Sequence, residues 1–177
     1  GSLDFVVHAI AFADKTELEG RYVDTTADNF AMTMNVSCYS FTAVAQRAEK
    51  LMTNGGSMLT LTYYGAEKVM PHYNVMGVAK AGLEASVKYL AEDLGKDGIR
   101  VNAILPAQTL TPGLRAHLET PRFRDHVLPR ILAGLPQGHL LDPEDYVGPA
   151  IFLASDAARA VLIIEVDGDR EFLDKQA

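Results

Sequence analysis

The sequence predicts an α/β fold, an open parallel sheet flanked by helices. Short runs rich in β-favouring residues alternate with long stretches of helical apolar spacing. Asn, Asp and Gly clusters punctuate the boundaries, and the opening apolar run lacks the in-and-out alternation of a half-solvated strand. Alternation at this spacing gives right-handed βαβ units.

The first run, Leu3 to Phe12 (L-D-F-V-V-H-A-I-A-F), is almost continuously apolar, as suits a strand covered on both faces. After a polar connection, Phe30, Met34, Phe41, Ala45, Ala48 and Met52 recur near helical spacing, with Thr26 or Asp28 as the N-cap. Asn54-Gly55-Gly56 ends that helix. Ser57 to Tyr63 (S-M-L-T-L-T-Y) is short and rich in β-favouring residues, hence a second strand.

Past Pro71 a long helix is predicted to about Leu94, with Leu83, Val87, Leu90 and Leu94 on one face, and Asp97-Gly98 stops it. Ile99 to Leu105 reads as a third strand, followed by a Pro- and Gly-punctuated region with short helices through Leu135. Asp142-Pro143-Glu144-Asp145 caps a helix reaching Ser155, with Pro143 in its first turn. Leu162 to Val166 is predicted as the last strand. No repeat or low-complexity tract divides the chain, so residues 1–177 are read as one domain.

Composition narrows the class. The chain has 177 residues with 48% hydrophobic and 22% charged, ordinary for a folded globular protein. Net charge is −7 with scattered basic residues, which gives no stripe to track a nucleic-acid backbone. No apolar run approaches the roughly 20 residues of a membrane span. The single cysteine, Cys38, forbids an intrachain disulfide and is expected as a small buried hydrophobe, which points to a reducing, cytoplasmic setting. Gly1-Ser2 reads as a cloning scar.

The five histidines show no ligand spacing with Cys38 or carboxylates, so no metal site is expected, and Asp142, Glu144 and Asp145 read as capping charges. The chemistry is expected in Y-N-V-M-G-V-A-K, where Tyr73 and Lys80 lie seven residues apart. On one helix they share a face two turns apart, and an ammonium leaning toward the N-terminus would lower the phenol's pKa. Tyr73 then serves as proton donor or oxyanion stabiliser, or else the spacing marks only a packed tyrosine and a solvated lysine. His72 beside it either assists proton transfer or is a plain loop histidine.

The stretch T-Y-Y-G-A-E-K…P-H-Y-N-V-M-G-V-A-K resembles the enoyl-acyl-carrier-protein reductases, a branch of the short-chain dehydrogenase/reductase superfamily. The similarity extends to the opening run, S-C-Y-S-F (Ser37 to Phe41), G-I-R-V-N-A-I (Gly98 to Ile104) and D-Y-V-G-P-A-I-F-L-A-S-D (Asp145 to Asp156), and so covers most of the chain. The resemblance implies a partial Rossmann-like sheet lacking the first βαβ units, and hydride transfer from NADH or NADPH to a trans-2-enoyl thioester. By it, Tyr73 stabilises the enolate oxygen, Lys80 holds the nicotinamide ribose, and Tyr63 joins them as a catalytic and acyl-pocket residue. Met76 would also contact substrate or is plain core, with Thr111 and Ile10 beside the cofactor. Asn35 falls where the superfamily often supports a proton relay, or is an ordinary helix residue; Ile104 and Phe123 wall the acyl pocket or are plain core.

Departures from the family pattern cluster on the cofactor side. The glycine-rich turn that would hold the cofactor phosphates is absent from this sequence, so the chain is also compatible with binding no cofactor. The run usually reading S-A-G-P-I-R-T is here L-P-A-Q-T-L-T (Leu105 to Thr111), Ala160-Val161 replaces a Thr/Ser-Gly turn, and Asp-Gly-Gly becomes Asp167-Gly168-Asp169. Alternatives are therefore a cofactor-independent isomerase, cyclase or dehydratase using Tyr73 and Lys80, or a non-catalytic acyl-binding or oligomer-forming remnant. An acyl thioester or acyl carrier protein is the expected partner. A homo-oligomer is expected through the helices of Asp28–Met52 and His72–Leu94, with the apolar Leu3–Ala11 edge covered.

Overall fold

The computed structural model describes residues 1–135 and 137–161 in full, and residues 165–167 as backbone. Its sheet has four parallel strands in the order β1 (Phe5–His8), β2 (Gly56–Leu61), β3 (Ile99–Leu105) and β4 (Glu165–Asp167). Register runs Phe5↔Ser57 to His8↔Thr60, then Gly56↔Ile99 to Leu61↔Ile104. Every residue of β3 is buried, the apolar ones together with Arg100 and Asn102, as suits a strand covered on both faces. β1 is shorter than the Leu3–Phe12 run because pairing with β2 ends at His8. The predicted start of the last strand, residues 162–164, lies outside the described residues, as do 168 and 169.

The long helical pattern after Thr26 is broken rather than continuous. Thr26 accepts from the Asn29 amide and caps α1 (Ala27–Met34), a π turn spans Asn35–Tyr39, and α2 (Ser40–Ala48) follows. The π turn inserts one residue into the helical phase, so the inward face passes from Asn29 and Thr33 to Cys38, Phe41 and Ala45. Phe30, expected inward, is consequently exposed.

α3 (Asn74–Gly95) packs Ala79, Leu83, Val87 and Leu94 with Phe41, Met58, Val101 and Ala103 in the main core on one sheet face. Cys38 belongs to that core, as expected of a small hydrophobe. α4 (Pro112–Leu118) and α5 (Leu128–Gly134) fill the region after β3. α6 (Val147–Ala154), introduced by an Asp142–Asp145 capping box, covers the other face over β2 and β3 with Leu153, Leu59 and Ile104. It does not reach β1, where Phe5 and Val7 stay about half exposed on the edge strand. No helix among the described residues is long and apolar enough to cross a membrane.

Candidate functional site

The site forms where β2 gives way to α3. Tyr73 is the N-cap of α3, entered through a strained turn in which His72 (φ 60°) and Asn74 (φ 40°) both adopt left-handed backbone. Asn74 holds the turn in place: its side-chain amide donates to the carbonyls of Leu18 (3.0 Å) and Gly20 (2.9 Å), tying α3 to the 15–20 loop. The Tyr73 ring lies over Gly65, where any Cβ would stand 2.3 Å from Tyr73 Cδ1. Gly77 completes the fit, since a Cβ there would come within 2.6 Å of the Gly65 carbonyl oxygen. These two glycines let the 64–66 turn settle onto α3 and fix the ring from behind.

Tyr63, just past β2, meets Tyr73 edge to face, with centroids 5.0 Å apart. The structure thus brings Tyr63, Tyr73 and Met76 together: Met76 packs with Ala13, Val75, Leu18 and Tyr73. Lys80 lies two turns further along α3, buried, and its ammonium donates to the Leu61 carbonyl at 2.7 Å. Glu84, one turn on, accepts from the Thr62 hydroxyl at 2.5 Å. His8 closes this polar layer, bonded to Thr60 Oγ1 (3.1 Å) and Ser40 Oγ (2.8 Å).

The electrostatics overturn one expectation. Tyr73 is pushed up, well above the usual phenol value, first by burial and then by Tyr63 and Glu84. Lys80 does not lower it, because the ammonium is held at Leu61 and its charge faces Glu84. Burial also lowers the Lys80 pKa, against the opposing pull of Glu84. Burial likewise lowers His8, with the Lys80 charge adding to the effect. Tyr73 is therefore a neutral O–H donor at physiological pH, suited to hydrogen-bonding a developing oxyanion rather than acting as a phenolate base.

Other expected residues separate. Ile104 is core beneath α6, 2% exposed, so it walls no acyl pocket. Phe123 stacks on His117 at 5.6 Å, away from the tyrosines' contacts. Ile10 lies past the end of β1, 52% exposed, and Thr111 caps α4 by accepting from the Leu114 amide. Asn35 is exposed and opens the π turn, its carbonyl accepting from the Ser40 amide. His72 is exposed, with its backbone in the left-handed turn. Among the described residues no cluster of His, Cys, Asp or Glu is arranged to hold a metal.

Sequence reasoning missed Asn74, Gly65, Gln108 and the His8–Thr60–Ser40 layer. Asn74 carried a usable signal, since asparagine beside a helix start is a standard occupant of left-handed backbone. Gln108 did not: its Nε2 donates to the Tyr63 hydroxyl at 2.9 Å, across 45 residues.

Comparison with known proteins supplies the frame. The family model for enoyl-(acyl carrier protein) reductase matches residues 1–168. Two enoyl-[acyl-carrier-protein] reductases [NADH] of Rhizobium meliloti are similar. The first is 74% identical over 112 residues, 62% of this chain and 41% of its own length. The second is 53% identical over 167 residues, 91% of this chain and 59% of its own.

The Bacillus cereus enzyme crystallised with NADP+ and indole naphthyridinone superposes with a TM-score of 0.85 at 45% identity, covering 98% of this chain and 66% of that one. The Anaplasma phagocytophilum enzyme in complex with NAD gives 0.82 at 51% identity, covering 97% and 62%. The chain thus spans about 60% of the length of most of these relatives. With the match running through nearly every described element, this chain belongs to the enoyl-acyl-carrier-protein reductase family.

Proposed function

We propose that these residues form the acyl-binding and proton-donating side of a reductase for trans-2-enoyl thioesters, presented on pantetheine or an acyl carrier protein. The observation that carries this reading is the neutral, half-buried Tyr73 set edge to face against Tyr63 in a chain of this family. When bound, a nicotinamide would supply the hydride to the β-carbon. The Tyr73 O–H then hydrogen-bonds the thioester oxygen as it gains negative charge, while Tyr63 and Met76 line the acyl side.

The residues present fit the nicotinamide in part. An ammonium has three donors, and Lys80 spends one on Leu61, which leaves two that a nicotinamide ribose would use. The sequence offers no glycine-rich turn for the cofactor phosphates, so this reading assigns them to protein beyond these residues. The cofactor-independent isomerase would use the same Tyr73 O–H to stabilise an enolate, so turnover without nicotinamide separates it from the reductase. A homo-oligomer through α1, α2 and α3 is part of the same proposal, supported by exposed Tyr39, Val78 and Tyr89 on those helices and the turn between them.

Calorimetric titration of trans-2-octenoyl pantetheine thioester, with and without millimolar NADH or NADPH, is the test. Saturable binding of the thioester that Tyr73→Phe weakens is expected. No heat under any of these conditions would overturn the reading.

A further inference from the structure

The geometry points to Gln108 as a positioning residue that sets the Tyr63–Tyr73 pair and thereby the acyl side of the site; this rests on the proposed reductase reading. Gln108 stands where the family's run carries its proline, and a proline has no side chain able to reach a phenol. Here the Gln108 carboxamide donates to the Tyr63 hydroxyl at 2.9 Å, and Tyr63 in turn fixes the edge of Tyr73 at 5.0 Å. Both Gln108 and Tyr63 are half-buried, which shields that bond in part from water.

The platform under Gln108 is braced on its backbone. The Leu141 amide donates to the Gln108 carbonyl (3.1 Å), and the Leu110 amide returns a bond to Leu141 (2.7 Å). Thr109 pairs with Leu141 in a parallel bridge, and its hydroxyl bonds Tyr146 at the start of α6 (3.2 Å). The 108–110 segment is thereby a short added strip along 141, and the carboxamide projects from a fixed base. Gln108 on Tyr63 and the neighbouring Thr109 on Tyr146 thus place the tyrosine pair and the start of α6 on one short segment. A ligand that needs Tyr63 to move must break the Gln108 bond, so this residue bears on acyl selectivity as well as on geometry.

The test uses the chain with 13C-labelled tyrosine rings, assigned through Tyr63→Phe and Tyr73→Phe. Gln108→Leu removes the donor at nearly constant volume, and Gln108→Met serves if the first variant folds poorly. We expect both the Tyr63 and the Tyr73 ring signals to shift, and Gln108→Glu, which reverses the bond by accepting from the Tyr63 hydroxyl, to shift the Tyr63 signal in a way distinct from Gln108→Leu. Affinity for trans-2-octenoyl pantetheine thioester is expected to change by about fivefold, the range of one neutral hydrogen bond. Unchanged ring signals in Gln108→Leu would overturn the positioning role. Absence of thioester binding in every variant would sink the reductase reading while the ring signals still judge Gln108.

Discussion

Gly65→Ala tests whether the site depends on ring placement. Gly65 does not occupy the positive-φ region, so alanine meets no backbone penalty there, and the whole effect comes from contact. The new Cβ would lie 2.3 Å from Tyr73 Cδ1, 2.6 Å from Cε1 and 3.3 Å from Cγ. Ordinary carbon contacts begin near 3.5 Å, so the ring edge must yield by about 1.2 Å. Tyr63 flanks the ring at 5.0 Å between centroids, which limits how far Tyr73 can retreat on that side.

Overpacking of this kind costs about 1–3 kcal/mol, equivalent to a fall in Tm of roughly 2–4 °C per kcal/mol for a chain of this size. The displacement matters more for chemistry than for folding, since a misplacement of about 1 Å can cost roughly 100-fold in rate. Denaturant unfolding of Gly65→Ala, Tyr73→Ala and the double variant gives the coupling directly. If Gly65→Ala is destabilising beside Tyr73 but nearly neutral once the ring is removed, the contact is the cause. Equal cost in both backgrounds would refute the reasoning.

Three further outcomes are expected. Asn74→Gly keeps the left-handed backbone but removes the side-chain bonds to Leu18 and Gly20 carbonyls; we expect a loss of about 1–2 kcal/mol and faster amide exchange across residues 15–20, and unchanged exchange there would contradict the tie. Burial and the Lys80 charge hold His8 below the ordinary histidine value of about 6.5 in the folded chain, so the unfolded state binds the extra proton first: its stability contribution is complete above about pH 6.5 and is lost as pH falls through the lowered folded value. His8→Asn should flatten the pH dependence of the urea midpoint between about pH 7 and pH 5, and an identical slope would assign it elsewhere. Phe41→Ala empties the centre of the main core, where Phe41 has no exposed surface, and calorimetry should register a loss of about 3–5 kcal/mol.

Much of the fold was readable because it rests on short-range patterns. The short β-favouring runs marked β2 and β3 as strands, and offsets of three and four put Leu83, Val87 and Leu94 on the buried face of α3. Thr26 as a cap and the Asp142–Asp145 box follow from local backbone demand alone. The pairing of Tyr63 with Tyr73 was legible only through the motif's resemblance to a family.

Tertiary structure alone decided the rest. The π turn at Asn35–Tyr39 shifts a helical face by one residue, which no periodicity count reveals because both phases are locally acceptable. Whether Lys80 lowers the Tyr73 pKa depended on where a flexible ammonium finds an acceptor; it found the Leu61 carbonyl, and burial then drove the phenol the other way. Gln108 became part of the site because β3 ends beside β2, placing a carboxamide within 2.9 Å of a hydroxyl 45 residues away. Sequence fixes which residues can form each element, since those forces act between neighbours, whereas a buried group's charge and hydrogen-bond partner are set by what the chain brings alongside from a distance.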